Sequence, residues 1–154
     1  MKIAIGCDHR GYKLKESLKR SLSRNGHEVV DFGAYSKEPC DYPGFCLKVA
    51  RAVAKGKQDR GILICLTGIG SSIVANKVPG VRAALCHTIK SAEFSRRHND
   101  ANVLVLASGV VGKDKAKKIV SRWLTTDFTG GRHARRVRQI AKIEREVANL
   151  KVKG

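Results

Sequence analysis

Five short apolar runs alternate along this chain with segments of helical spacing, and this alternation restricts the fold more than any other feature. The apolar runs cover residues 2–6, 27–31, 61–65, 81–86 and 102–107. The helical segments cover residues 12–24, 44–55, a short stretch after 70, 91–99, 113–124 and 132–150. Short apolar runs bounded by turn residues are typical of buried parallel strands, which need a crossover helix between them. We therefore predict one three-layer α/β domain over residues 1–154, a Rossmann-like, doubly wound sheet of five parallel strands in the order 2-1-3-4-5.

The segment 61–77, GILICLTGIGSSIVANK, combines a strand, a glycine-rich turn and a helix. The strand ends in Cys65, and the two glycines of TGIG break the turn that follows. Ser71 and Ser72 are of a residue type that caps helices, so we predict that the helix begins at them. Such a turn presents unpaired backbone N–H groups to a negatively charged ligand, with the thiol beside them.

Two nucleotide-binding patterns do not fit this turn. A Walker loop needs Lys and then Ser or Thr after its last glycine, where this chain has two serines. A dinucleotide fingerprint needs a third small residue where Ile73 stands and an acidic residue about 20 positions further on. No Asp or Glu lies between Asp59 and Glu93. Two interpretations stay open from these residues alone: a site for a small phosphorylated or enolate-forming ligand, or a tight turn with Cys65 as a buried apolar side chain.

The formal charge of +18 results from 31 Lys and Arg against 13 Asp and Glu. An excess of basic residues attracts anions such as phosphate esters or nucleic acid. Aromatic residues make up only 5% of the chain, however, and they do not alternate with basic ones as in single-strand nucleic-acid binders. We interpret most of the charge as a solvated surface and expect neither a nucleic acid nor a membrane as partner.

The five cysteines are an odd number without a C-x-x-C pair, which argues against a disulfide framework or a zinc ribbon. Cys7 and His9 have no further ligands at suitable spacing, so we expect no metal site. The chain has no pattern of a secretory leader and no long apolar span, which predicts a cytoplasmic protein. Four cysteines are interpreted as core or loop thiols: Cys7, Cys40, Cys46 and Cys86.

The predicted topology separates two groups of candidate residues. Asp8, His9 and Cys65 follow the first and third strands, whose carboxyl ends meet at the switch point where α/β sheets bind ligands. His98 and Asn99 end the helix after the fourth strand, and a helix of about ten residues spans ~15 Å. They should therefore lie at the opposite edge of the sheet from Cys65. If they are functional, a second subunit supplies them, which predicts an isologous dimer with two shared sites.

Five motifs together resemble the ribose-5-phosphate isomerase B family. In chain order they are GCDHRGYKLK, DYP, ILICLTGIGSSIVANK, SRRHNDANVL and GGRHARRV. That family also includes the galactose- and allose-6-phosphate isomerases. The resemblance covers nearly the whole chain and implies a metal-independent aldose–ketose isomerase without a cofactor, working through an enediolate. It also implies a homodimer or a dimer of dimers, with the last helix, about 132–150, packing on a partner subunit.

The resemblance implies roles for individual residues in the reaction. Cys65 would be the base that removes the proton beside the carbonyl, and Thr67 would stabilise the oxyanion together with the N–H groups of the turn. His98 would be the acid that opens the furanose ring. Asn99 would hydrogen-bond the reacting oxygens, and Asp8 would orient the ring hydroxyls.

Other residues would bind the substrate. His9, Arg132 and Arg136 would hold the phosphate, since the two arginines stand one turn apart on one helix face. Tyr42 would line the same pocket. The binding turn would consist of Leu66, Thr67, Gly68, Ile69, Gly70 and Ser71. No role matches the remaining histidines, which we interpret as structural or surface residues: His27, His87 and His133.

Two residues depart from the family pattern. Leu66 stands where the family usually has glycine, and a branched side chain there narrows the turn or restricts its dihedral angles. Gly109 stands where many members have an arginine that contacts substrate. We predict ribose 5-phosphate and ribulose 5-phosphate as the substrates. Two alternatives remain: a six-carbon phosphate such as allose or galactose 6-phosphate, and a catalytically weak relative that binds phosphosugars or nucleic acid.

Overall fold

The computed structural model describes residues 1–150, which form a parallel sheet with helices on both faces. The strands are β1 (Lys2–Cys7), β2 (Glu28–Asp31), β3 (Arg60–Cys65), β4 (Ala83–Leu85) and β5 (Val103–Ala107). The helices are α1 (Tyr12–Arg24), α2 (Tyr42–Ala54), α3 (Ile69–Ala75), α4 (Ile89–Asn99), α5 (Lys113–Leu124) and α6 (Arg132–Leu150). The predicted α/β class and the five parallel strands are confirmed.

The predicted order of the last two strands is wrong, because the sheet runs β2-β1-β3-β5-β4. β5 pairs with β3 along its whole length, from Gly61 opposite Val103 to Cys65 opposite Ala107. Every residue of β5 is buried, as expected of a central strand with helices on both faces. β4 has only three residues, all half-buried, and therefore fits the edge of the sheet.

Side chains from alternate strand positions enter two separate cores. On one face, Ile62 and Leu104 pack with residues of α1 and α5, including the fully buried Trp123. On the other face, Leu63 and Val105 pack with residues of α2 and α3. The two cores fix the sheet between its helices, so the loops at its carboxyl edge are held on a rigid support.

A buried lysine ties α1 to the loop that leads to α2. Lys15 is fully buried, and its Nζ donates hydrogen bonds to both carboxylate oxygens of Asp31 at 2.7 Å and to the Ala34 carbonyl at 2.7 Å. Asp31 also accepts from Lys19 and from the Gly33 N–H. Burial by itself raises the pKa of Asp31, but the hydrogen bonds from Lys15 and Lys19 outweigh it and lower that pKa below its usual range.

The C-terminal helix α6 covers the rest of the molecule only loosely. None of its residues is buried, and four apolar side chains on it stay 47% to 71% exposed: Ile140, Ile143, Val147 and Leu150. A cavity of about 760 Å³ lies between this apolar stripe and the region around β4. Within residues 1–150, no helix is long and apolar enough to cross a bilayer.

Candidate active site

Cys65 ends β3 at the carboxyl edge of the sheet, and its side chain is directed into the turn that follows. The residue is 5% exposed, and its Sγ accepts a hydrogen bond from the Gly68 N–H at 3.1 Å. An N–H dipole directed at sulfur stabilises negative charge on it. The Cys65 carbonyl accepts from the Ser108 N–H at 2.8 Å, which fixes the end of β3 to the loop after β5.

The other buried thiols have a different environment. Burial raises the pKa of Cys7 to about 12 and that of Cys46 to about 11, and burial also raises the pKa of Cys86. These three side chains therefore stay protonated at neutral pH and fill the cores, as predicted. Cys40 is half-buried in the loop before α2, also as predicted.

The turn after Cys65 needs glycine at Gly68. This residue has φ +75° in the left-handed region, and a Cβ there would overlap the Leu85 side chain. Gly68 is the N-cap of α3, which begins at Ile69. The prediction that Ser71 and Ser72 cap this helix is therefore wrong, because the N-cap is the left-handed Gly68, three residues before Ser71.

The N–H groups at the start of α3 face the loop around the thiol. The Ile69 N–H lies 3.4 Å from the Thr67 hydroxyl, and the first backbone hydrogen bond of the helix is donated by Ser72 to the Gly68 carbonyl. The intervening N–H groups of Gly70 and Ser71 lie before that bond; Gly70 is half-buried and can meet an anion, whereas Ser71 is fully buried.

Tyr42 lies directly over this turn. It is the first residue of α2, which begins two residues earlier than predicted because Pro43, with its preset φ, suits the first turn of a helix. A Cβ on Gly70 would overlap the Tyr42 hydroxyl, so the glycine lets the phenol approach the loop. The structure thus brings Tyr42 next to the predicted binding turn.

Asp8 and His9 follow β1, which pairs directly with β3. The Asp8 N–H donates to the Ile64 carbonyl, and its buried carboxylate accepts from the Gly11 N–H at 2.8 Å before α1 begins. His9 accepts the Cys40 N–H at Nδ1, at 3.2 Å. In the neutral ring the proton is therefore on Nε2, which can donate to a ligand. Asp8, His9 and Tyr42 share the carboxyl edge of the sheet with the Cys65 turn.

The second group of predicted residues lies at the other edge. α4 runs back from the carboxyl end of β4, and its 11 residues place His98 and Asn99 about 15 Å away along the helix axis. Arg132 and Arg136 stand on the first two turns of α6 and are exposed. This group is joined by stacking, because the ring of His98 packs on that of His133 in α6.

Asp100, for which no motif predicted a role, fixes the end of α4 just after His98 and Asn99. It adopts the left-handed conformation, φ 47°, and its carboxylate accepts from Arg82 at 2.9 Å and from Arg96 at 2.8 Å. Arg82 also donates to the Asn99 carbonyl at 3.0 Å. An aspartate just after the end of a predicted helix that closes with two arginines was the available signal.

The two residues that depart from the family pattern lie in contact. The Gly109 N–H donates to the Leu66 carbonyl at 2.9 Å, and a Cβ on Gly109 would lie 3.0 Å from Leu66 Cδ1. Leu66 is 44% exposed, so it covers part of residue 109 while remaining at the surface of the turn. Leu66 therefore fits next to residue 109 because Gly109 has no side chain.

Metal ligands are not grouped in the part of the chain that is described. Among residues 1–150, no three His, Cys, Asp or Glu side chains lie close enough together to hold a metal ion.

The doubly wound sheet carries a thiol and a glycine-rich turn at one edge. A histidine, an asparagine and two arginines lie at the other edge. This arrangement defines an α/β protein with a candidate site for a small anion. The chain belongs to the ribose/galactose isomerase family, because the model of the family described as Ribose/Galactose Isomerase matches residues 3–140. The resemblance seen in the sequence is thereby confirmed.

Individual relatives match over nearly their full length. The chain is 52% identical to ribose-5-phosphate isomerase B of Escherichia coli over 143 residues, 93% of this chain and 96% of that protein. The structure matches Clostridium thermocellum ribose-5-phosphate isomerase B with a TM-score of 0.94 and 55% identity, over 96% of this chain and 99% of the other. It matches the Mycoplasma genitalium enzyme with bound ribulose 5-phosphate with a TM-score of 0.91 and 44% identity, over 94% and 97%.

Proposed function

We propose that this protein is a type B ribose-5-phosphate isomerase that interconverts ribose 5-phosphate and ribulose 5-phosphate. The observation that carries the proposal is the Gly68 N–H directed at the Cys65 sulfur, in a chain that matches the family across residues 3–140. The relatives at 44% to 55% identity bear this activity in their names, and one of them holds ribulose 5-phosphate.

In the proposed reaction, Cys65 acts as thiolate on the open-chain aldose. It takes the proton from C2, and the electron pair moves into the C1–C2 bond while the carbonyl oxygen at C1 becomes negative. The Gly70 N–H and the Thr67 hydroxyl hold that charge, with Ser71 buried directly behind the turn. The proton of the O2 hydroxyl passes to O1, and the thiol returns its own proton to C1, which yields the ketose.

The ring must open before this step. We assign that step to His98, which as the protonated ring gives a proton to the furanose oxygen while the bond from C1 to that oxygen breaks. The C1 hydroxyl releases its proton to water, so the charge balances. Asn99 would hydrogen-bond the reacting oxygens, and Asp8 would orient the ring hydroxyls.

This assignment requires two copies of the chain. Cys65 and His98 lie at opposite edges of the sheet, so an isologous dimer would place the His98 of one copy opposite the Cys65 of the other. His9 would then meet the partner's Arg132 and Arg136 around one phosphate. The uncovered apolar stripe of α6 supports such an association, since exposed apolar surface of this kind marks interfaces. A dimer of dimers is compatible with the same contacts.

A six-carbon sugar phosphate is the second candidate substrate. The observation in its favour is the exposed surface at Gly109, which carries no side chain that would limit the length of the sugar. All five cysteines are free, which fits a reducing compartment, so we place the protein in the cytoplasm. The proposed reaction needs neither metal nor cofactor.

Turnover of ribose 5-phosphate, measured with a coupled assay for wild type and Cys65→Ala, tests the proposal. We expect rapid turnover by the wild type and loss of it in the variant. Equal inactivity of both proteins, with DNA binding that weakens steeply with salt, would instead favour the binding protein. Faster turnover of allose or galactose 6-phosphate than of ribose 5-phosphate would favour the second candidate.

A further inference from the structure

We propose that His133 is a positioning residue for the ring-opening step, which it serves by holding the imidazole of His98 in place. The inference rests on the proposed function and extends it to a residue to which the sequence assigned no role. His133 belongs to α6 and His98 to α4, so the contact joins two elements that are separated along the chain.

His98 is the middle ring of a stack of three. Its ring centroid lies 4.2 Å from that of His133 at an interplanar angle of 7°, and 4.7 Å from that of Phe94 at 16°. Both faces of the imidazole are therefore covered, and only its edge, which carries the two nitrogens, can reach a ligand. Aromatic rings at these distances attract each other, which restricts the rotation of His98.

His133 is itself held by the segment before α6. The Thr129 N–H and hydroxyl both donate to the Arg97 carbonyl, at 3.1 and 2.6 Å, so this segment is tied to the last turn of α4. The His133 N–H then donates to the Gly130 carbonyl at 3.0 Å as α6 begins. The ring stack thus lies next to backbone hydrogen bonds that connect α4 to the segment before α6, and these bonds hold His133 beside His98.

The surrounding charges act on His133, at one end of the stack. Desolvation lowers the pKa of His133, and so do the positive charges of His98, Arg132, Arg136 and Arg97. Lys90 lies over Phe94 at the other end of the stack, and Glu93 is paired with Arg97 at 3.2 Å. Because its pKa is lowered below the usual range, His133 is neutral at pH 7 and orients the His98 ring without adding a charge 4.2 Å from it.

The two directions of the reaction show whether a loss is one of catalysis. Ribose 5-phosphate closes to a furanose and needs ring opening. Ribulose 5-phosphate cannot close such a ring, because the oxygen on its C5 is esterified with phosphate. Because an enzyme does not change the equilibrium constant, a defect in ring opening lowers kcat/KM by the same factor in both directions, and the ring variants at position 133 distinguish positioning from general damage.

The experiment compares both directions for wild type, His133→Ala, His133→Phe and the control His87→Ala, which removes an exposed histidine outside the stack. We expect His133→Ala to lower kcat/KM for ribose 5-phosphate by about 10- to 100-fold, because small misplacement of a catalytic group has effects of this size. Reverse kcat/KM should fall by the same factor, and His133→Phe, which keeps a flat ring in the stack, should recover most of the loss in both directions. The control should match the wild type.

A second readout does not depend on turnover. The NMR resonances of the His98 ring protons should show an upfield ring-current shift in the wild type and in His133→Phe, and lose part of it in His133→Ala. A Phe variant as slow as the Ala variant, or unchanged turnover in His133→Ala, would overturn the inference. A wild type inactive in both directions would overturn the proposed function, whereas an active wild type with unaffected His133 variants would overturn this inference alone.

Discussion

Replacing Gly68 with alanine should have two distinct effects, a loss of stability from backbone strain in the turn and a loss of turnover from the displaced N–H at the Cys65 thiol. Gly68 has φ +75° and would place a Cβ against the Leu85 side chain, and its N–H donates to the Cys65 sulfur at 3.1 Å. Gly56 offers a matched control, since it has φ +66° but no atom within 4 Å of an added Cβ. Both substitutions put alanine into the left-handed region, which costs about 1–2 kcal/mol.

The difference in the free energy of unfolding between Gly68→Ala and Gly56→Ala measures the cost of the contact with Leu85. Gly68→Ala must also displace the Leu85 methyl group, which adds about 1–3 kcal/mol, so we expect a total of roughly 2–5 kcal/mol. Gly68→Ala/Leu85→Ala should recover part of the extra cost, because it removes the overlapping side chain but not the backbone strain. Urea unfolding at pH 7 measures these differences.

Turnover should respond differently from stability. Displacing the N–H that faces the sulfur should lower kcat for ribose 5-phosphate on the order of 10²-fold, by analogy with the loss of one oxyanion donor. Gly56→Ala should keep wild-type turnover despite its loss of stability. If Gly68→Ala turned over substrate as fast as Gly56→Ala, the N–H to sulfur contact would have no part in catalysis, and the account of the turn would be refuted.

Three further predictions concern the ion pair of Lys15 with Asp31 and the contact between Leu66 and Gly109. Lys15→Met should lower the free energy of unfolding by about 1–3 kcal/mol in urea titrations, because the half-buried Asp31 loses its most buried partner and keeps only Lys19 and the Gly33 N–H; a loss below about 0.5 kcal/mol would contradict this. Because the pKa of Asp31 is lowered in the folded state, its contribution to stability is present above the unfolded pKa of ~3.9 and is lost as pH falls through the folded value. Unfolding titrations between pH 7 and 2 should show this loss in the wild type and a smaller one in Asp31→Asn. Gly109→Arg should destabilise the protein by about 1–3 kcal/mol through contact with Leu66, and Leu66→Gly should relieve part of that cost. A double-mutant cycle of these two substitutions should give a coupling energy of about 0.5–3 kcal/mol. Additive effects in the cycle would show that the two residues are independent.

Local patterns sufficed for most of the secondary structure. α1 and α5 begin and end, and α6 begins, where the spacing of apolar residues predicted, because each has an amphipathic face and a clear break at these ends. The order of β4 and β5 was not predictable from chain order alone. The fully apolar β5 and the short, mixed β4 held the relevant signal, since the more apolar strand takes the central position.

The site was predictable where neighbouring residues determine it, and less so where distant elements meet. The separation of Cys65 from His98 followed from the topology of a parallel sheet and holds in the observed order. The stacking of His133 on His98 depends on how α6 packs against α4, which no local pattern encodes. The burial of Lys15 likewise depends on the position of Asp31 in the neighbouring strand β2.

Mixing two inactive variants tests most directly whether the thiol of one chain works with the imidazole of another. Subunits of Cys65→Ala and His98→Asn, co-refolded in equal amounts, form mixed dimers in half of the cases. Each mixed dimer has one site with both native residues, so we predict about a quarter of wild-type turnover of ribose 5-phosphate from two nearly inactive parents. If both residues served a site within one chain, every site in the mixture would lack one of them, and turnover no higher than that of the parents would contradict the account.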